Sequence, residues 1–337
     1  MNKTKSIFIP IFRKSRRQFL WTAILILSVS FFQYAAPANR FWGFHGHKII
    51  NKTAVFTLPE SMLGFYKANI EYIELKSVNP DMRRYIDPNE APRHYIDLEY
   101  FGEIDSIPKY WSKAVNQLGI DSLHSWGILP WHIDLVVYRL TEAFKEGDSE
   151  RILRLSTDLG HYVADAHVPL HTTENYNGQL TDQHGIHGFW ESRLPEIYSV
   201  DYELLTGRAK YLEDPREVIW RIIRESHLAV DSVLTIEKDL DNDFAQSKKY
   251  GFEDRGKNTV KVYSRLYSRK YHQQLDGMVE RRMRSSIHVI GSLWYTCWVN
   301  AGQPNLMPQE KIAISDSITM FGKSNSNLRQ HGSKLEN

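Results

Sequence analysis

Apolar positions along most of this chain recur every three to four residues, a spacing that predicts helices. Residues 131–144 place Ile133, Val136, Val137 and Leu140 on one helical face. The next helix opens at Asp148 and Ser149, both good N-caps. It presents Ile152, Leu155, Leu159, Tyr162 and Val163 and ends before Pro169. Residues 215–238 are also periodic, with Asp214 as the expected N-cap and Pro215 at the first helical position, where a missing N–H does no harm. Residues 257–300 contain no proline and suffice for one or two helices. No alternating run bounded by hairpin turns stands out, so strands are not expected. The pattern predicts an all-α chain with one multi-helix domain over residues 39–307. Residues 308–337 are polar, with the composition of a disordered tail.

The first residues follow another pattern. Lys3, Lys5, Arg13, Lys14, Arg16 and Arg17 fall within residues 1–18, which contain no acid. An apolar run over residues 19–32 follows, then Ala36, Pro37 and Ala38, a small-x-small cleavage signal. That order is the order of a secretory signal peptide, here residues 1–38, and predicts a secreted or periplasmic protein. The alternative is an uncleaved anchor, although a comfortable membrane span takes about 20 apolar residues. Ser15-Arg16-Arg17-Gln18-Phe19-Leu20 also has the form of a twin-arginine export signal, or of a plain basic stretch.

Composition narrows the chemistry. A net charge of +2 gives no global electrostatic case for a nucleic-acid binder. Cys297 is the only cysteine of 337 residues, which excludes an intramolecular disulfide and any cysteine-rich metal site. A metal would have to be held by His, Asp, Glu or backbone, a ligand set that suits zinc or a similar borderline ion.

The 14 histidines are unevenly spread. His161, Asp165, His167 and His171 fall within one short stretch, and His187 and Glu191 follow. His161 and Asp165 stand at i and i+4, so they project from one face of a helix and can share an ion. Their apolar surroundings make a charged pair costly unless it is paired or coordinates an ion. His171 lies beyond Pro169, where the chain can turn it back toward a second ion. His187 and Glu191 repeat the i, i+4 device, which elsewhere is usually a surface pair. His167, six residues from His161, points away from that face and reads as structural. His45 and His184 lie close to candidate ligands, His132 reads as core or pocket lining, and Asp158 could orient a ligand or face solvent. Near the start stand Phe41-Trp42-Gly43-Phe44-His45-Gly46-His47; further on come Asn79-Pro80-Asp81 and Arg93-His94-Tyr95-Ile96-Asp97.

In these motifs and their order the chain resembles the superfamily of zinc-dependent phospholipases C and S1/P1 nucleases over roughly residues 42–300. The resemblance implies a single all-α domain of that type and three zinc ions, or two. Asp81, His94 and His161 would hold the first. His171, His187 and Glu191 would hold the second. His47 and the backbone amine and carbonyl of Trp42 would hold the third, and Asp165 would bridge the first and third. Two departures matter. Cleavage after Ala38 leaves Asn39, Arg40 and Phe41 ahead of Trp42, which removes the amine. The nuclease members are disulfide-bonded and this chain cannot be, which points to the bacterial branch.

The activity implied is hydrolysis of a phosphodiester by a metal-activated water, with Asp165 and Asp81 as the central carboxylates. Tyr95 and Asp97 have the form of a base-binding pair, stacking and accepting a hydrogen bond. A glutamate at position 191 resembles the phospholipase branch instead. The substrate is therefore single-stranded nucleic acid, a nucleotide or a phospholipid, and no protein partner is implied. The tracts Arg83-Arg84 and Arg281-Arg282-Met283-Arg284 could meet phosphates, although exposed charge runs are usually solvated surface. The reading from another class is a non-catalytic zinc-binding helical envelope protein.

Overall fold

A computed structural model of the chain describes residues 43–256 and 258–306. The signal segment at 1–38, Trp42 and the tail at 308–337 lie outside the described residues. The described helices are, in chain order, α1 (Phe44–Ala54), α2 (Glu60–Ala68), α3 (Ile70–Lys76), α4 (Asn79–Arg83), α5 (Trp111–Leu118), α6 (Ile120–Trp126), α7 (Leu129–Glu146), α8 (Ser149–Ala166), α9 (Ile186–Gly188), α10 (Leu194–Tyr198), α11 (Pro215–Leu228), α12 (Val230–Asp243), α13 (Gln246–Lys249), α14 (Arg265–Gln274) and α15 (Met278–Asn300). A π-helical turn, Phe189–Arg193, joins α9 to α10. No described helix is long and apolar enough to cross a membrane.

The expected caps are in place. The Asp148 carboxylate accepts from the Arg151 N–H at the start of α8, and Asp214 does the same for Glu217 at the start of α11. The 131–144 pattern lies within α7, which stops at Gly147 in the left-handed conformation. The single segment expected over 215–238 is instead two helices, divided at Ala229.

The fold is mostly helical, compatible with the all-α expectation, but it adds one small two-stranded sheet where no strand was expected. Strands β1 (Tyr250–Arg255) and β2 (Asn258–Tyr263) form an antiparallel hairpin with Glu253 opposite Val260. The β2 alternation, with Val260 and Val262 buried between exposed Thr259 and Lys261, was in the sequence. Its two buried valines are too short a run to outweigh the surrounding helical periodicity.

Helix α8 is the centre of the packing, with α7, α15, α1, α3 and α11 against it. Trp294 of α15 donates its indole N–H to the Ser156 carbonyl and stacks on Tyr66, whose hydroxyl meets the Ser156 Oγ. The approach of α1 to α8 needs a glycine. A Cβ on Gly160 would fall 1.9 Å from the Asn51 Oδ1. That contact lies next to His161 on α8 and one turn beyond His47 on α1, so it sets how closely these two histidines meet.

Candidate metal centre

Helix α8 turns His161 and Asp165 inward, one above the other, both buried; His161 Nε2 lies 3.3 Å from Asp165 Oδ2. Helix α1 brings His47 across so that its ring stacks on His161 with centroids 4.0 Å apart. A one-turn 3-10 helix closes with His94, whose Nδ1 lies 2.8 Å from Asp165 Oδ2 and 3.1 Å from His161 Nε2. Asp81 on α4 supplies an oxygen 3.8 Å from both His94 and His161. Beyond α8 another tight turn, Pro169–His171, swings His171 back toward Asp165, as its place after a proline suggested. His171 Nε2 is 3.5 Å from Glu191 Oε2, and His187 Nε2 is 2.7 Å from the same oxygen. Residues far apart in sequence thus converge in three groups: Asp81 with His94 and His161; His47 with His161 and Asp165; His171 with His187 and Glu191.

The second pair is built unlike the first. His187 lies on α9 and Glu191 on the π turn, a rare geometry that often marks functional sites. The hairpin grips this turn. Phe189 stacks on Tyr263 at 3.9 Å, and Arg193 donates two hydrogen bonds to the Glu253 carboxylate at 2.8 and 2.5 Å. Arg255 reaches Glu196 on α10 in the same forked way. The loop before His187 is tied to α12 by Gln183, which donates to the Glu237 carboxylate and the Leu234 carbonyl.

Fixed hydrogen bonds orient the imidazoles. His161 Nδ1 donates to the Ser77 carbonyl, His171 Nδ1 to the His94 carbonyl and His187 Nδ1 to the Tyr176 carbonyl. Each of the three therefore turns its Nε2 toward the carboxylates, the orientation that metal-ligating histidines use. His94 faces the cluster with Nδ1, and its Nε2 lies 3.6 Å from Glu90. Glu90 is fully buried and is held by Arg83, Arg93 and the Tyr162 hydroxyl. Burial alone would raise its carboxyl, but His94, Arg83 and Tyr162 hold it well below the usual range.

Electrostatics and spacing both suit a cation here. Among the described residues, the ion-pair partners of Asp165 and Glu191 are all histidines. Burial opposes ionisation of both carboxyls, yet the surrounding imidazoles hold both well below their usual values. The same carboxylates drive His47 up to about 9 against the effect of its burial, so a proton is drawn to where a cation fits. His171 Nε2 is buried without a hydrogen-bond partner. A tetrahedral zinc with ligands at about 2.0–2.2 Å separates them by about 3.4 Å, and several cluster spacings, from 3.1 to 3.5 Å, fall near that value. The donor set is imidazole and carboxylate, with no thiolate, and could hold a metal ion.

The other candidates fall elsewhere. Tyr95 is only 7% exposed, with its hydroxyl on the Ser125 carbonyl, and Asp97 is fully buried, so Tyr95 offers little ring face to a base. Arg83, expected to meet phosphate, is spent on Asp158, Glu90 and Tyr162. Asp158 is buried in that network rather than solvated. Arg282 is likewise engaged with the His167 carbonyl, Ser226 and Glu225. Arg84 differs: it is partly exposed and 3.7 Å from Asp81. His167 bonds the Val163 carbonyl and Ser285, as a structural residue would. His45 meets Ser199 at the surface, and His132 packs edge-on against Tyr162. Glu90 was missed although it stands at i−4 from His94; Pro92 between them hid the helical spacing. No protein-family model matches this chain, and no curated protein matches it.

Proposed function

We propose that this chain is an exported zinc-dependent phosphoesterase that hydrolyses phosphodiester bonds, built like the phospholipases C and S1/P1 nucleases that its motifs resemble. The observation that carries the reading is the convergence of His47, Asp81, His94, His161, Asp165, His171, His187 and Glu191 into three adjoining groups, one wholly buried and two partly so. A single structural ion needs only four ligands. Eight ligand-type residues shared among three groups fit a multinuclear centre, a kind of site that phosphatases and nucleases use.

Bound zinc supplies an acidified water and positive charge beside the phosphoryl oxygens. The residues of the chain do the rest. Asp165 points its two oxygens to opposite sides, Oδ2 toward His94 and His161 and Oδ1 toward His47 and His171, and so ties the groups together. Asp81 and His187, each 22% exposed, mark the open ends of the centre, where a phosphate can enter. Arg84, beside Asp81, is free enough to turn toward a phosphoryl oxygen. The carbonyls of Ser77, His94 and Tyr176 keep three imidazoles from rotating as charge moves. Asp165 and Asp81 act as holders of the centre, not as acids.

Single-stranded nucleic acid and phospholipid share the diester. The enclosure of Tyr95 weakens the base-stacking argument, and Glu191 favours the phospholipid branch. The test is hydrolysis of single-stranded DNA, a short-chain phosphatidylcholine and a chromogenic phosphodiester by the zinc-loaded protein. Cleavage of any of these that a chelator stops and zinc restores supports the reading. Tight zinc binding without cleavage would leave the non-catalytic envelope protein as the better reading.

A further inference from the structure

Glu191 reaches two groups at once. Its Oε2 faces His187 and His171, and its Oε1 lies 3.4 Å from His47 Nε2. That same nitrogen is 3.3 Å from Asp165 Oδ1. One imidazole nitrogen is thus flanked by an oxygen from each of two carboxylates, and both spacings match the roughly 3.4 Å edge of a zinc tetrahedron. We propose that Glu191 is a bridging ligand, its Oε1 joining His47 and Asp165 Oδ1 in a third site for a divalent ion of the zinc class that does not depend on the amine of Trp42. The proposal rests on the zinc reading above and adds to it.

Five features support the bridge. A glutamate is one methylene longer than an aspartate, and from the π turn that extra length carries the carboxylate across to α1. Gly43 leaves room for it: a Cβ there would lie 3.3 Å from Glu191 Oε1 and 3.7 Å from the His47 ring. The oxygen also lies beside Gly43 at the N-terminal end of α1, where the helix dipole favours negative charge. His47 is fixed to receive it by its stack on His161 and by Asn51, which donates to its carbonyl. The bridge also answers the sequence, in which Asn39, Arg40 and Phe41 stand between the cleavage signal and Trp42 and deny it a free amine.

The experiment is zinc stoichiometry of the full 337-residue chain, in which Trp42 sits in an ordinary peptide bond. Metal-free wild type and Glu191→Asp are loaded with zinc, cleared of free ion and measured by elemental analysis. The expected result is three ions for the wild type and two for Glu191→Asp, because aspartate still serves His171 and His187 but ends short of His47. Three ions in both, or two in both, would overturn the bridge while leaving the zinc centre standing. No bound ion in the wild type would overturn the zinc reading itself. Anomalous diffraction of the wild type at the zinc edge gives an independent answer that needs no variant to fold. A third peak among His47, Asp165 and Glu191 supports the proposal; a third peak away from Glu191 overturns it.

Discussion

His161 and Asp165 stand four residues apart, and so do His187 and Glu191, yet the protein builds the two pairs by opposite means. The first pair lies on α8, a long helix packed on several sides by others, so its geometry follows from the core. The second lies where α9 passes into a π turn, and its geometry is imposed from outside by the hairpin and by Gln183. An i, i+4 spacing is therefore a proposal about a shared face, and the packing of the segment decides what holds that face rigid. A ligand pair on a core helix is as stable as the domain. A ligand pair on a clamped turn can be loosened while the domain stays folded.

The contrast can be broken or sharpened by substitution. The largest effect is expected at Asp165, which touches both halves of the centre: Asp165→Asn should lose bound zinc, and activity should fall by about 10²–10³, the scale for removing one charge-stabilising group. Full occupancy with a normal rate in that variant would refute its joining role. Next is Gly160→Ala, which forces α1 away from α8 at the Asn51 contact; overpacking of this kind costs about 1–3 kcal/mol, seen as a lower midpoint in denaturant unfolding of the metal-free protein.

Two outer residues separate the pairs. Glu253→Gln removes the charged grip on Arg193, and Glu90→Gln removes the carboxylate behind His94. Each should weaken zinc by about 10–100-fold, the usual loss for a residue that orients a ligand, but at different ions. Stepwise zinc titration with anomalous diffraction should show Glu253→Gln thinning the ion at His171, His187 and Glu191, and Glu90→Gln the ion at Asp81, His94 and His161. Equal losses at both positions in both variants would dissolve the distinction between core-built and clamped pairs.

The smallest effect is a pH dependence that belongs to the core alone. Burial and nearby Arg93 push His132 down from 6.5 to about 3, so the folded state keeps this ring neutral. Its folded value is depressed, so the stability it contributes is complete above pH 6.5 and is lost as pH falls from there toward 3. The slope is about 1.4 kcal/mol per pH unit at most. Unfolding of the metal-free protein measured from pH 7 to pH 4 should be flatter in His132→Phe than in the wild type; identical slopes would remove His132 from the account.

What the sequence made legible follows the same division. The helices α7 and α8, the Asp148 cap and the inward face of His161 and Asp165 could be read directly, because each depends on local spacing and a buried apolar face. The residues that hold the centre in place could not. Glu90 sits behind a proline that masks its spacing to His94. The grip of the hairpin on the π turn depends on contacts between residues some sixty positions apart, such as Arg193 with Glu253. Tyr95 kept the form of a stacking residue in sequence, and only tertiary packing buries it.

The most direct test of the proposed phosphoesterase activity is a zinc titration of metal-free protein, with hydrolysis of a chromogenic phosphodiester followed at each addition. The expected result is no cleavage without metal and a rate that climbs as the sites fill and then levels once they are full. Zinc bound to saturation without any cleavage of the diester would contradict the proposed activity.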